Sequence, residues 1–177
     1  MRLIAFLFGA LLTAAAAQAA TENFYLKMPG INGEALSKNF VGWIPVTSFS
    51  EGFMTSGAGA FGAGGRAGGR VSCQSLQVVK QLDSSSAEIA ASVAAGRQFV
   101  EVDLAATTTS GDAGETTFLR FALHHAFVSS VTFGGDSTSS ARVETITLVA
   151  ESIEVTYWPQ TADGRVAGPL TATITCR

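Results

Sequence analysis

From Gln98 to the C-terminus the chain repeats one pattern: a strand-like run, rich in β-branched and aromatic residues, closed by a cluster of turn formers. The runs fall near 98–107, 116–133, 143–149, 151–158 and 169–176, and SGDAG, GGDSTSS and TADG separate most of them. Short strands at such spacings, with no internal repeat, predict an antiparallel barrel or sandwich.

The N-terminal half adds strands and a single helix. NFYLKM at 23–28 alternates apolar and polar residues as a half-buried strand does, and PGINGE at 29–34 follows as a turn. A second strand is expected from Val41 to about Phe49, and a third from Val71 to Gln81. The period then changes: in SSSAEIAASVAAG, Ile89 and Val93 stand four apart. That spacing predicts one short helix, with Ser85 and Glu88 as a capping box and Gly96 as its left-handed C-terminal residue.

With 177 residues, 47% of them hydrophobic, there is enough chain for one domain with a sizeable core. Charged residues make up only 14%, the formal net charge is -3, and the basic residues are scattered. No nucleic-acid partner and no polybasic membrane patch is expected.

The first residues read differently. MRLIAFLFGALLTAAAAQAA has a basic start at Arg2, an apolar run from Leu3 to Leu12, and Ala17-Gln18-Ala19 as a small-residue cleavage site. The expectation is a signal peptide over 1–19, cleaved between Ala19 and Ala20, leaving one domain over 20–177. Spanning a bilayer takes about 20 apolar residues, so the run is too short for a membrane helix, and no membrane insertion is expected after cleavage. Two cysteines remain, Cys73 and Cys176. In an oxidising compartment the expectation is a disulfide between them, the alternative being two buried free thiols.

Candidate chemistry is sparse. GAGAFG at 57–62 has the G-x-G-x-x-G spacing, but its glycines run on into another strand rather than opening a helix. Asp83, at the distance where a ribose-binding carboxylate would stand, is better read as introducing the helix. The stretch from 50 to 70 therefore reads as a long glycine-rich loop. His124 and His125 are neighbours on an expected strand, where adjacent side chains point to opposite faces and do not converge on a metal. Gly135-Asp136-Ser137 is similar to an esterase nucleophile block but has Thr138 where that block wants leucine. Glu101 with Asp103, and Glu151 with Glu154, read as solvated strand positions rather than an acid and base pair. No catalytic, cofactor-binding or metal-ligating residue is assigned.

Taken in order, FYLKMPGINGEA, GWIPVTSFSEG, KQLDSSSAEIAASVAAG, FLRFALHHAFVSSVTFGG, ETITLVAESIEVTYWPQ and ADGRVAGPLTATITC resemble the haemolysin-coregulated protein (Hcp) family, over nearly all of 23–176. That family supplies the tube of bacterial type VI secretion systems. The resemblance implies a mainly β (α+β) fold, an antiparallel barrel of two sheets with one short helix. It also implies a non-enzymatic subunit that assembles as a homo-hexameric ring, stacks into a tube, and meets secretion-apparatus components or cargo effectors. By position, the segment 50–70 corresponds to the family's inter-ring contact arm, with Phe53, Phe61, Arg66 and Arg70 as its candidate contact residues. The leader and the cysteine pair depart from the usual tube protein and point to a secreted or periplasmic location; the alternative is cytoplasmic assembly followed by type VI export. A competing reading is a secreted monomeric binding module that presents the glycine-rich loop.

Overall fold

The structure is a computed structural model and describes residues 21–56, 70–109, 114–138, 142–160 and 168–176. Its elements are β1 (Thr21–Lys27), β2 (Ile44–Val46), β3 (Ser48–Ser50), β4 (Phe53–Ser56), β5 (Arg70–Cys73), β6 (Leu76–Gln81), α1 (Ser86–Ala94), β7 (Gln98–Thr109), β8 (Glu115–Gly135), β9 (Arg142–Val149), β10 (Ser152–Tyr157) and β11 (Leu170–Thr175). Every pairing between these strands is antiparallel.

The main sheet runs β2-β1-β7-β8-β9-β6-β3. Its two ends are consecutive in the chain, with only Thr47 between β2 and β3, and the Thr47 N–H donates to the Val79 carbonyl at 2.8 Å. One short segment thus pairs with β1 and then with β6, which closes this path of the sheet into a barrel, while β10 branches from β8 and carries β11 as an edge strand. The expected mainly β, antiparallel barrel with one short helix is what forms.

Long strands in so small a barrel must turn a corner, and the burial phase shows where. On β8, Phe121 and Leu123 face the core, but beyond His125 the core residues are Ala126 and Val128. On β7 the phase changes from Phe99 to Val102, leaving Val100 exposed; Val100 and His125 are also missing from the β7–β8 register, which shifts between Ala106 and Thr107. His125 adopts a left-handed φ of 51°, the kind of local irregularity that re-aims a strand. β9 and β10 change phase at the same level, from Leu148 to Ile153, across Ala150 and Glu151. The corner divides the barrel into two sheets, with Ile44, Leu76, Leu104, Leu123 and Ile146 fully or almost fully buried between them. Each such side chain contributes about 1.5–3 kcal/mol on leaving water.

Three local expectations need correction. The second strand begins at Ile44, because Val41 and Gly42 lie in a turn, with Gly42 at φ +72° and Val41 exposed. The run 71–81 is two strands, broken at Gln74 and Ser75. The capping box does not form: Ser85 is helical in backbone and makes no side-chain cap bond. Asp83 takes that role, its Oδ1 accepting from the Ser85 N–H at 2.9 Å and the Ser85 hydroxyl at 2.5 Å. The C-terminus follows expectation. Gly96 lies at φ +57°, its N–H donates to Val93 and that of Arg97 to Ser92, which satisfies the last carbonyls.

Candidate assembly surfaces

The segment expected as an unstructured loop starts and ends as a ribbon. β4 and β5 pair from Phe53 with Cys73 to Ser56 with Arg70, a two-stranded sheet separate from the barrel. It leaves the barrel wall through two short junctions, Glu51-Gly52 after β3 and Gln74-Ser75 before β6. The Gln74 N–H donates to the Gly52 carbonyl at 2.7 Å, joining the junctions. The Gln74 side-chain oxygen lies over Gly52, 2.6 Å from where a Cβ would stand, so the two junctions are in close contact. Phe53, Met54 and Val71 are exposed on this ribbon.

Cys73 ends β5 and is disulfide-bonded to Cys176, which follows β11. The Cys176 N–H donates to the Glu151 carbonyl at 2.9 Å. The bridge therefore ties the last strand to the base of the ribbon rather than to the barrel wall directly. Among the candidate contact residues, Phe53 lies on β4 and Arg70 opens β5. Phe61, Arg66 and the GAGAFG spacing lie outside the described residues, as do the leader and the Ala19 and Ala20 cleavage position.

At the junction, Glu51 is half-buried. Its Oε1 accepts from the Gly52 N–H at 3.1 Å, while Oε2 is buried with no hydrogen-bond partner. Burial raises its pKa to about 7, against the opposing effect of the Gly52 N–H.

A second surface lies on the outer face of β1 and β7, covered by the loop 32–43. Tyr25 stacks on Phe40 with ring centroids 4.3 Å apart, and Phe40 meets Trp43 edge-on at 5.0 Å. Gly33 permits this fold-back, since a Cβ there would lie 2.4 Å from the Ile44 Cα. Glu115 pins the loop: it accepts from the Ser37 hydroxyl and from the Thr107 hydroxyl at 2.7 Å. Burial alone would raise the Glu115 pKa, but these hydrogen bonds, with those from Tyr25 and Asn23, hold it below its ordinary value. Burial and then Glu115 push the Tyr25 phenol up to about 12. The loop presents Leu36 outward, 99% exposed.

The sequence-predicted polar residues fall in three places. Glu101 and Asp103 both meet Arg120, whose guanidinium approaches Glu101 Oε1 at 3.0 Å and Asp103 Oδ1 at 2.5 Å. Asp103 is thus not a solvated position; burial raises its pKa, with Arg120 opposing. His124 Nδ1 stands 3.4 Å from Glu101 Oε2, whereas His125 is exposed at the corner. Ser137 lies past the far end of β8, on the order of 30 Å from either histidine by strand rise. Asp136 Oδ1 there accepts from the Thr138 N–H at 2.8 Å and its hydroxyl at 2.7 Å. Glu151 is exposed and Glu154 partly buried on β10. Among the described residues no three His, Cys, Asp or Glu side chains group as metal ligands.

Sequence reasoning missed a buried ion pair. Lys80 Nζ and Glu144 Oε1 are 2.6 Å apart, both side chains fully buried, and Lys80 also reaches Asp83 at 2.8 Å and donates to the Ser86 hydroxyl at 3.2 Å. The group fastens the start of α1 to β6 and β9. The signal was present: Lys80 follows Leu76 and Val78, and Glu144 precedes Ile146 and Leu148, each in the core-facing phase.

Comparison with known proteins fits this geometry. A family described as "Type VI secretion system effector, Hcp" matches residues 25–157. Protein hcp1 of Pseudomonas aeruginosa strain PAO1 is 30% identical over 99 residues, covering 56% of this chain and 60% of that protein. A solved structure described as that of a type six secretion system protein is 25% identical, with a TM-score of 0.80, over 88% of this chain and 96% of its own. Hcp1 from Salmonella typhimurium, at 21% identity, shares the fold with a TM-score of 0.70 over 87% of this chain and 94% of its own. With the family matched across the barrel from β1 to the end of β10, the chain belongs to the Hcp family of the type VI secretion system.

Proposed function

We propose that this chain is a non-enzymatic structural subunit that assembles as a hexameric ring through a repeated head-to-tail interface, and that the β4–β5 ribbon is its arm toward a neighbouring ring. The observation that carries the reading is the family match from β1 to the end of β10, combined with a ribbon that forms a sheet of its own and exposes Phe53 and Met54. A head-to-tail interface closes into a ring when its rotation divides the circle. Phe53, Phe61, Arg66 and Arg70 are the proposed contact residues, with secretion-apparatus components or cargo effectors as further partners.

The Cys73–Cys176 bridge supports a second element of the reading, passage through an oxidising compartment after cleavage between Ala19 and Ala20. Native mass spectrometry of the protein from periplasmic and culture fractions tests both. The expected result is a sixfold mass built from subunits that begin at Ala20. A processed monomer at high concentration overturns the ring and favours a binding module that uses the ribbon. An unprocessed hexamer confined to the cytoplasm overturns the leader and leaves assembly followed by type VI export.

A further inference from the structure

The ribbon joins the barrel asymmetrically. On the β5 side it is held covalently, because Cys73 is bonded to Cys176. On the β4 side it is held by the Glu51-Gly52 junction, through one backbone hydrogen bond from Gln74 and the buried Glu51 carboxyl beside it. One carboxyl oxygen has a donor in the Gly52 N–H; the other is shut off from water with none. A neutral acid tolerates such a corner far better than an unpaired charge does.

We propose that Glu51 is a proton-controlled latch on the ribbon: as the neutral acid it stays seated under the junction, and on ionising it moves out to water and frees the β4 side to swing about the disulfide.

The neighbouring elements supply no countercharge. β3, β4 and β11 carry no ionisable side chain, and on β5 the one such residue besides the bridged Cys73 is Arg70, at the end of the ribbon remote from Glu51. On β6 the cation is Lys80, already committed to Glu144 and Asp83. Glu151, whose backbone receives Cys176, adds a carboxylate on that side and no cation. The sign follows from the raised pKa. The seated form keeps its proton up to about 7, while a released glutamate loses it near 4.5, so seating weakens as pH rises through that window and levels off above it.

The latch is a property of the single chain; its use in ring contacts rests on the arm reading above. The test is hydrogen exchange of the Gln74 amide in the oxidised, full-length protein, expressed as protection relative to the intrinsic rate. Full burial would cost seating about tenfold per pH unit, and solvent screening at half-burial reduces the expected loss to roughly tenfold across the whole window. Glu51→Gln is expected to show high, pH-independent protection. Flat protection in the native protein, or the same pH slope in Glu51→Gln, overturns the latch. Should that variant fold poorly, carbon-13 titration of the native Glu51 carboxyl decides, and a midpoint at the ordinary glutamate value overturns it. A monomeric protein with pH-dependent protection keeps the latch and sinks the ring; a hexamer with flat protection does the reverse.

Discussion

Removing either charge of the Lys80–Glu144 pair should destabilise the fold, but the two removals should differ in size. Both side chains are fully buried, and breaking one partner out of a buried pair typically costs about 3–5 kcal/mol because the other is left uncompensated. Lys80→Met leaves Glu144 with no hydrogen-bond donor to either oxygen, so its cost belongs at the top of that range, about 5 kcal/mol. Glu144→Leu leaves Lys80 still facing Asp83 at 2.8 Å, the Gln81 carbonyl at 2.8 Å and the Ser86 hydroxyl at 3.2 Å. Its cost should stay near or below about 3 kcal/mol. The double variant places two apolar side chains of similar volume in contact and should fall well short of the sum of the singles. Urea titration of the disulfide-intact proteins supplies all four stabilities. For a chain of this size 1 kcal/mol moves Tm by about 2–4 °C, so Lys80→Met should melt on the order of 15 °C lower. Equal costs for the two single variants, or a double variant that equals their sum, would refute the assignment of this pair as a coupled, desolvated unit.

Other consequences are more local. His125→Gly should stabilise the protein by up to about 1 kcal/mol in thermal melts, since relief of left-handed strain outweighs the entropy of glycine, whereas His125→Val should destabilise it. Gly33→Ala should cost about 1–3 kcal/mol and expose Trp43 to fluorescence quenchers, because the new methyl group meets the Ile44 backbone. The bridge closes a loop with a sequence separation of 103, so the Cys73→Ser, Cys176→Ser double variant should lose up to about 5 kcal/mol in denaturant melts. In Tyr157→Phe, alkaline absorbance should place the Tyr25 phenol near 12; Tyr25 contributes stability that is intact below 10 and lost as pH climbs toward 12.

Much of the architecture was legible in the chain because it depends on local rules. Alternation and turn clusters marked most of the strands from Gln98 onward, and the Ile89 to Val93 spacing with Gly96 marked the helix and its end. The ordered blocks also identified the family, and the cysteine count led to the bridge. Where the reading went astray, a competing partner had intervened, a near neighbour at the helix start and a distant strand at the ribbon. Ser85 has the right type for a cap, yet Asp83, itself bound to Lys80, captures the free amide. Phe53 to Ser56 have little strand signal beside so many glycines and become a strand because Arg70 to Cys73 pair with them. The sequence by itself determined the strand periods, the single helix and the cysteines available for bonding, since each follows from residue type and short-range spacing. Tertiary structure alone decided the closure at Thr47, the corner at His125, the burial of Lys80 with Glu144 and the half-buried seat of the Glu51 carboxyl. In each of these the energy comes from groups far apart in the chain, and no local pattern records which of them meet.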